Sequence, residues 1–156
     1  MARKDFYDDA TAPKANSITV AVSAVIQNSD GQLLLIRRTD NDLYSIPGGG
    51  QEIGETLAQT VVREVQEETG ITVRVVELIG IYSDPKHVIG YTNGEVKQEF
   101  SICFRGQPVS GDLRVSSESS EVHWVDPSAL DELNIHPSIR LRIGHGLAHL
   151  EKPYFS

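Results

Sequence analysis

The chain has 156 residues, enough for one domain with a substantial buried core. Hydrophobic residues make up 39% and charged residues 23%, a balance that excludes wholesale disorder. With 22 acidic against 14 basic side chains, the formal charge of -8 excludes a broad surface for long DNA or RNA, though not a small phosphorylated ligand approached through a metal ion.

Cys103 is the sole cysteine, so no internal disulfide framework exists, and it reads as a small packed strand residue. The segment from Met1 to Ser17 is polar and lacks the apolar core of a signal peptide. We expect residues 1–16 to form a polar extension. No apolar run approaches the roughly 20 residues that span a bilayer, so a soluble, cytoplasmic protein without a membrane partner is expected.

In chain order, Ile18, Val20, Val22, Ala24 and Ile26 alternate as in a strand with one buried face. A turn at Asn28-Ser29-Asp30-Gly31 leads to a second strand over residues 32–38, buried on both faces, which predicts an antiparallel hairpin. Pro47-Gly48-Gly49-Gly50 reads as a loop outside regular structure, where a ligand can approach the main chain closely. Thr56 and Gln59 form a capping box, Ala58, Val61, Val62 and Val65 share a face, and Gly70 stops the helix. A helix is therefore expected over residues 57–69. Residues 71–82 read as strand, Asn93-Gly94 as a hairpin turn, 97–105 as the returning strand with Phe100, Ile102 and Phe104 on one face, and 122–125 as a short strand. Asp126-Pro127 ends that strand with a cap and a helix-starting proline. Pro137 opens a last helix to about residue 150, lined by Ile139, Ile143, Leu147 and Leu150 and weakened by Gly144 and Gly146. No repeat or linker divides the chain, so a single mixed α/β domain over 1–156 is expected.

The informative segment is GGGQEIGETLAQTVVREVQEETGI, residues 48–71. At helical geometry Glu64, Glu67 and Glu68 fall within an arc of roughly 100°, beside the apolar Val61/Val65 face. Like charges three and four residues apart repel, and the last helical turns disfavour anions. Glutamate-rich faces are commonly just solvated. The glycine segment directly before this helix changes that balance, because it sets backbone groups beside three carboxylates. Such histidine-free oxygen ligation suits Mg²⁺, or Mn²⁺ in its place, better than zinc.

This segment resembles the Nudix (MutT-like) hydrolase family: Gly49, five residues, Glu55, seven residues, then Arg63-Glu64-Val65-Gln66-Glu67-Glu68-Thr69-Gly70-Ile71. Leu34-Leu35-Ile36-Arg37-Arg38, Ser45-Ile46-Pro47-Gly48-Gly49 and Glu121-Val122-His123-Trp124-Val125 extend the likeness over about residues 17–133. The resemblance implies an α/β/α sandwich with a mixed β-sheet and a loop-helix-loop catalytic segment. It implies a metal held by Glu64, Glu67 and Glu68 with a main-chain carbonyl near Gly48 or Gly49, supported by Glu52 and Glu55, with Glu55 partnering Arg63. The implied reaction is attack of water on phosphorus in a diphosphate. For the general base the family leaves two choices, Glu64 or Glu67 within the box and Glu118 or Glu121 opposite; Arg63 and Glu121 accordingly join the catalytic candidates.

Arg37 and Arg38 end a strand aimed at the site, and one of them is expected to contact phosphate. Gly48 belongs to the substrate side too, and Tyr44 either stacks on a base or covers the core edge. A proline such as Pro85, this far past the box, occurs in ADP-ribose-cleaving relatives, although turns use proline anyway. His145 and His149 read as surface residues, and His136 as part of the start of the last helix. Substrate choice is assigned to loops at 83–97 and 106–120. The expected partner is a small nucleoside diphosphate derivative such as ADP-ribose, a nucleotide sugar or a (deoxy)nucleoside triphosphate, and a homodimer is compatible with the family. The competing readings are a non-catalytic nucleotide-sensing module, which would often lack box carboxylates that are all present here, and a diphosphate isomerase, whose cysteine motif Cys103 does not match.

Overall fold

The structure is a computed structural model that describes residues 2–156. Its strands are β1 (Arg3–Tyr7), β2 (Ser17–Ile26), β3 (Leu33–Arg38), β4 (Tyr44–Ser45), β5 (Gly48–Gly50), β6 (Ile71–Tyr82), β7 (His87–Tyr91), β8 (Val96–Gly111), β9 (Ser119–Val125) and β10 (Tyr154–Phe155). Helix α1 spans Leu57–Thr69, helix α2 spans Pro137–Ala148, and a 3₁₀ segment covers Pro127–Glu132. One sheet runs β1-β7-β8-β2-β5, with β6 on β8 and β10 on β6. The other runs β4-β3-β9. The long strand β8 is the spine of the first: it pairs in parallel with all ten residues of β2 and antiparallel with β6 and β7.

The continuous apolar run of β3 is explained by burial on both faces. Leu34 and Ile36 join Val22, Ala24 and Ile26 of β2 against Val61 and Val65 of α1. Leu33 and Leu35 join Val25, Ile79, Cys103 and Ile143 on the α2 side. Sheet strands between two helices give the expected α/β/α sandwich. Cys103 is fully buried, as a packed strand residue should be.

Helix α1 has the expected ends: the Thr56 side chain accepts from the Gln59 N–H, the reciprocal half of the capping box is made, and Gly70 is left-handed at φ 80°. Several expectations change. The β2–β3 hairpin does not form as a ladder; beyond one bridge at Gln27 and Leu33 the two strands enter different sheets. The turn at residues 28–31 thus crosses between layers. Gly48–Gly50 is a short strand antiparallel to β2 and not a loose loop. It lies so close that a Cβ on Gly48 would overlap the Val22 carbonyl. Residues 3–7 are not an extension: β1 pairs along β7 and buries Phe6. The regions 83–97 and 106–120 contain β7 and the end of β8, so less of them is loop than expected. Helix α2 ends at Ala148, with His149 left-handed and Leu150 exposed. Gly146 there is a close approach, because a Cβ would press into Val25, whereas Gly144 faces open space.

Candidate active site

Helix α1 begins on its capping box and runs along β5, so its last two turns deliver carboxylates beside the glycine strand. Glu64 and Glu68, one turn apart, are both buried, at 8% and 4% exposure. The Gly49 Cα lies against the Glu64 carboxylate so closely that any side chain would overlap it. The Gly48 N–H donates to Glu68 Oε1 at 3.3 Å. Glu118 arrives from the β8–β9 connection, and one carboxylate oxygen of each of Glu64, Glu68 and Glu118 lies within 4.8 Å of the others. The serine-rich stretch before β9 is an ordered turn: Ser116 Oγ accepts from the Glu118 and Ser119 N–H groups, and Ser119 Oγ donates to the Glu68 carbonyl at 2.7 Å.

Burial raises the pKa of both Glu64 and Glu68, and for Glu68 the neighbouring Glu64 charge raises it further. Two buried carboxylates facing a third are an unfavourable grouping on their own. A divalent cation fits it, since every side-chain donor is oxygen and the Gly48 peptide adjoins them.

Arg63 holds the cluster's outer side. It donates to both oxygens of Glu55 at 2.6 and 3.0 Å, to Glu64 at 2.9 Å, to Glu67 at 3.4 Å and to the Gly50 carbonyl at 3.0 Å. The Arg63 guanidinium, followed by the Glu52 N–H, brings the Glu55 carboxyl down to about 2. Glu52 itself is largely exposed and lies 3.8 Å from Arg63. Glu67 is also mostly exposed and stands outside the three-carboxylate group.

The two arginines of β3 separate. Arg38 borders a cavity of about 460 Å³ together with Gly48, Gly49, Glu64, Glu68 and Glu118. It is held by Asp40 through two contacts of 2.8 and 2.6 Å. Arg37 points elsewhere, to Asp42 at 2.8 Å and Glu121 at 2.7 Å. Glu121 also accepts from the Tyr44 hydroxyl at 3.2 Å and contacts His123 at 2.9 Å; Arg37 first and His123 second hold its carboxyl at about 2. Glu121 therefore does not join the buried carboxylates, and Glu118 does. Tyr44 borders the cavity, with the Arg37 guanidinium 5.5 Å from its ring centre.

The far end of the same cavity gathers residues that local sequence pattern does not connect. Asp5 of β1 lies 2.7 Å from His87 Nε2, 3.8 Å from His136 Nε2 and 3.1 Å from Arg3. Burial opposes the Asp5 charge, but His87, His136 and Arg3 outweigh it and keep the carboxyl below its ordinary value. His136 caps α2 through Nδ1, which accepts from the Ser138 N–H, so Nε2 carries the proton and is turned to Asp5. His145 is half-buried and bonded to the Tyr82 hydroxyl at 2.7 Å, while His149 is exposed.

Known proteins share this fold and sequence pattern. The NUDIX domain model matches residues 17–143, ten residues beyond the end expected from the sequence. A MutT-like protein of Streptomyces ambofaciens is 43% identical over 124 residues, 80% of this chain and 73% of that one. An ADP-ribose pyrophosphatase of Methanocaldococcus jannaschii is 35% identical over 122 residues, 73% of this chain and 65% of that one. The solved structure of a NUDIX hydrolase from Nitrosomonas europaea superposes with a TM-score of 0.69 at 26% identity, covering 88% of this chain and 93% of that one.

Proposed function

Because the chain belongs to the NUDIX family, whose hydrolases act on pyrophosphate bonds and generally use divalent metals, we propose that it cleaves a nucleoside diphosphate linked to a further moiety, with Mg²⁺ or Mn²⁺ bound. The observation that carries the reading is the buried Glu64–Glu68 pair meeting Glu118 at the wall of a 460 Å³ cavity. A cavity of that volume suits a nucleotide-sized ligand. Compounds such as ADP-ribose, a nucleotide sugar or a (deoxy)nucleoside triphosphate are the substrate class.

Glu64 and Glu68 would hold the cation, with the Gly48–Gly49 main chain beside them. When bound, such a cation supplies charge neutralisation at the diphosphate oxygens and acidifies water for attack on phosphorus. Arg38 orients a phosphate oxygen from the cavity wall, and Asp40 fixes its guanidinium plane. Glu118, exposed and free of the Arg63 network, takes the proton from the attacking water. Arg63 and Glu55 are positioning residues that hold Glu64 in place, and Glu52 and Glu67 form the outer rim.

The test is a panel of these compounds with Mg²⁺, products separated by chromatography, on the wild type, Glu68→Gln and Glu118→Gln. Turnover of one compound should fall at least about a hundredfold in each variant, the usual contribution of a general base being 10²–10⁴-fold. Equal turnover in Glu68→Gln would overturn the metal assignment. No turnover with either metal, beside tight binding of a panel compound, would make the protein a nucleotide-sensing module.

A further inference from the structure

Helix α2 carries Arg142 on its inner face, at only 5% exposure. Among the described residues it forms no ion pair, and its Nε is buried with no hydrogen-bond partner. Its guanidinium lies 5.1 Å from the centre of the Tyr82 ring. That ring attracts the charge but accepts none of the N–H donors in the guanidinium plane. Arginine does not shed its proton, so burial cannot be relieved by neutralisation as it can for lysine or histidine. A buried, permanently charged group without a counter-charge is costly, and such charges in proteins are normally paired.

Arg142 borders the main cavity and also a second one of about 280 Å³ framed by Tyr7, Tyr82 and Ser138. Besides Glu64, Glu68 and Glu118 of the carboxylate cluster and Asp40, which is held by Arg38, three carboxylates border these spaces without compensating it. Asp5 is engaged by Arg3 and His87. Asp84 is exposed and accepts from the Lys86 N–H. Glu99 makes no ion pair with it among the described residues.

We propose that Arg142 anchors a second oxyanion-binding site, distinct from the carboxylate cluster, which takes a phosphate monoester or carboxylate group. The group has two sources. It is either the remote anionic end of a substrate whose diphosphate lies at the glycine strand, or a separate small anion such as inorganic phosphate. Arg142 and the carboxylate cluster border one continuous cavity, which favours the substrate's own remote group. That choice of source rests on the hydrolase reading; the anion site itself does not.

The experiment uses the full chain with a chelator present and reads binding, so it is independent of turnover. Thermal melting is followed against inorganic phosphate, and calorimetry compares a dinucleotide with its counterpart bearing one extra ribose 2′-phosphate. The proteins are wild type, Arg142→Met, Arg142→Lys and Glu99→Gln. Arg142→Met keeps the packed stem, so its unliganded midpoint should equal or exceed that of the wild type. Its affinity for the anion should drop at least about tenfold, as expected for lost hydrogen bonds to a charged group. Any response shared by wild type and Arg142→Met belongs to the other basic groups of the cavity wall, Arg3, Arg38 and Lys97, which both retain.

If the extra 2′-phosphate tightens binding in wild type and not in Arg142→Met, the site holds the substrate's remote group. If inorganic phosphate alone distinguishes the two proteins, it holds a separate anion. Identical responses of the two proteins to both probes overturn the proposal. So does weaker phosphate binding in Glu99→Gln, which would make Glu99 a partner of the site and not a repulsive neighbour. Should Arg142→Met not fold, Arg142→Lys decides: it keeps the charge without the planar fork, and an unchanged phosphate affinity there overturns the proposal.

Discussion

Gly49 has no room for a side chain, because the Glu64 carboxylate occupies the position a Cβ would take. Gly49→Ala should therefore displace Glu64, lower stability by about 1–3 kcal/mol through overpacking, and reduce turnover at least about tenfold. Chemical denaturation and Mg²⁺-dependent hydrolysis measure the two effects. The same crowding sets a pH dependence. The Glu64 and Glu68 pKa values are raised in the fold, so folding favours their neutral forms. That stability is fully present below the ordinary carboxylate value of 4.5 and is lost as pH rises through the raised folded values. In a chelator, the melting midpoint of wild type should fall with rising pH above that value more steeply than that of Glu68→Gln; parallel curves would refute it. Glu55 has the opposite sign: its carboxyl is depressed to about 2, so its stabilisation is present above 4.5 and is lost as acid carries the pH down through 2. Residue spacing set Glu64, Glu67 and Glu68 within one arc of the helix, and the family resemblance made them candidate metal ligands. It could not choose between Glu118 and Glu121, three residues apart on one segment. That choice depends on the Ser119 hydroxyl tying the turn to the Glu68 carbonyl and on Arg37 drawing Glu121 away, both tertiary facts.

At the level of elements, the legible ones were those whose ends are written locally. The capping box and Gly70 bound α1, and an unbroken Val/Ile-rich run makes β6. Pairing partners were less legible, because Asp30-Gly31 looks the same whether the next strand pairs with β2 or crosses to another sheet. The glycines of α2 show the same limit. In sequence, Gly144 and Gly146 both read as helix weakeners, but only Gly144 has open space around it. Gly144→Ala should stabilise the protein by roughly 1 kcal/mol through helix propensity alone. Gly146→Leu should destabilise it by about 2 kcal/mol, since Val25 is fully buried and cannot yield. Two melting curves test the pair, and equal signs would contradict the packing assigned to α2.

For the whole molecule, the least legible piece was the N-terminal segment. Its polar composition suggested an extension, yet β1 covers the edge of β7, buries Phe6 and brings Arg3 and Asp5 to the cavity. Polar residues face the cavity there, so composition misled. Deleting residues 1–9 should remove the roughly 1.5–3 kcal/mol of Phe6 burial and leave the β7 edge uncovered. It should raise KM more than it lowers kcat, since the carboxylate cluster remains on α1 and the β8–β9 turn. Steady-state kinetics beside a melting curve would check both, and a fall confined to kcat would count against a wall role for β1.

The strand character of Gly48–Gly50 bears on how quickly and how tightly a ligand can be taken. A free triglycine segment would have to be frozen at the moment of binding, at roughly 1–2 kcal/mol of lost chain entropy per residue. Here Ala21, Val22 and Ser23 already hold it in register, so that ordering is completed when the chain folds. The rim that faces the ligand is rigid in advance. Association should then proceed in a single kinetic phase whose observed rate rises linearly with ligand concentration, without the plateau that a slow rearrangement of the rim would impose.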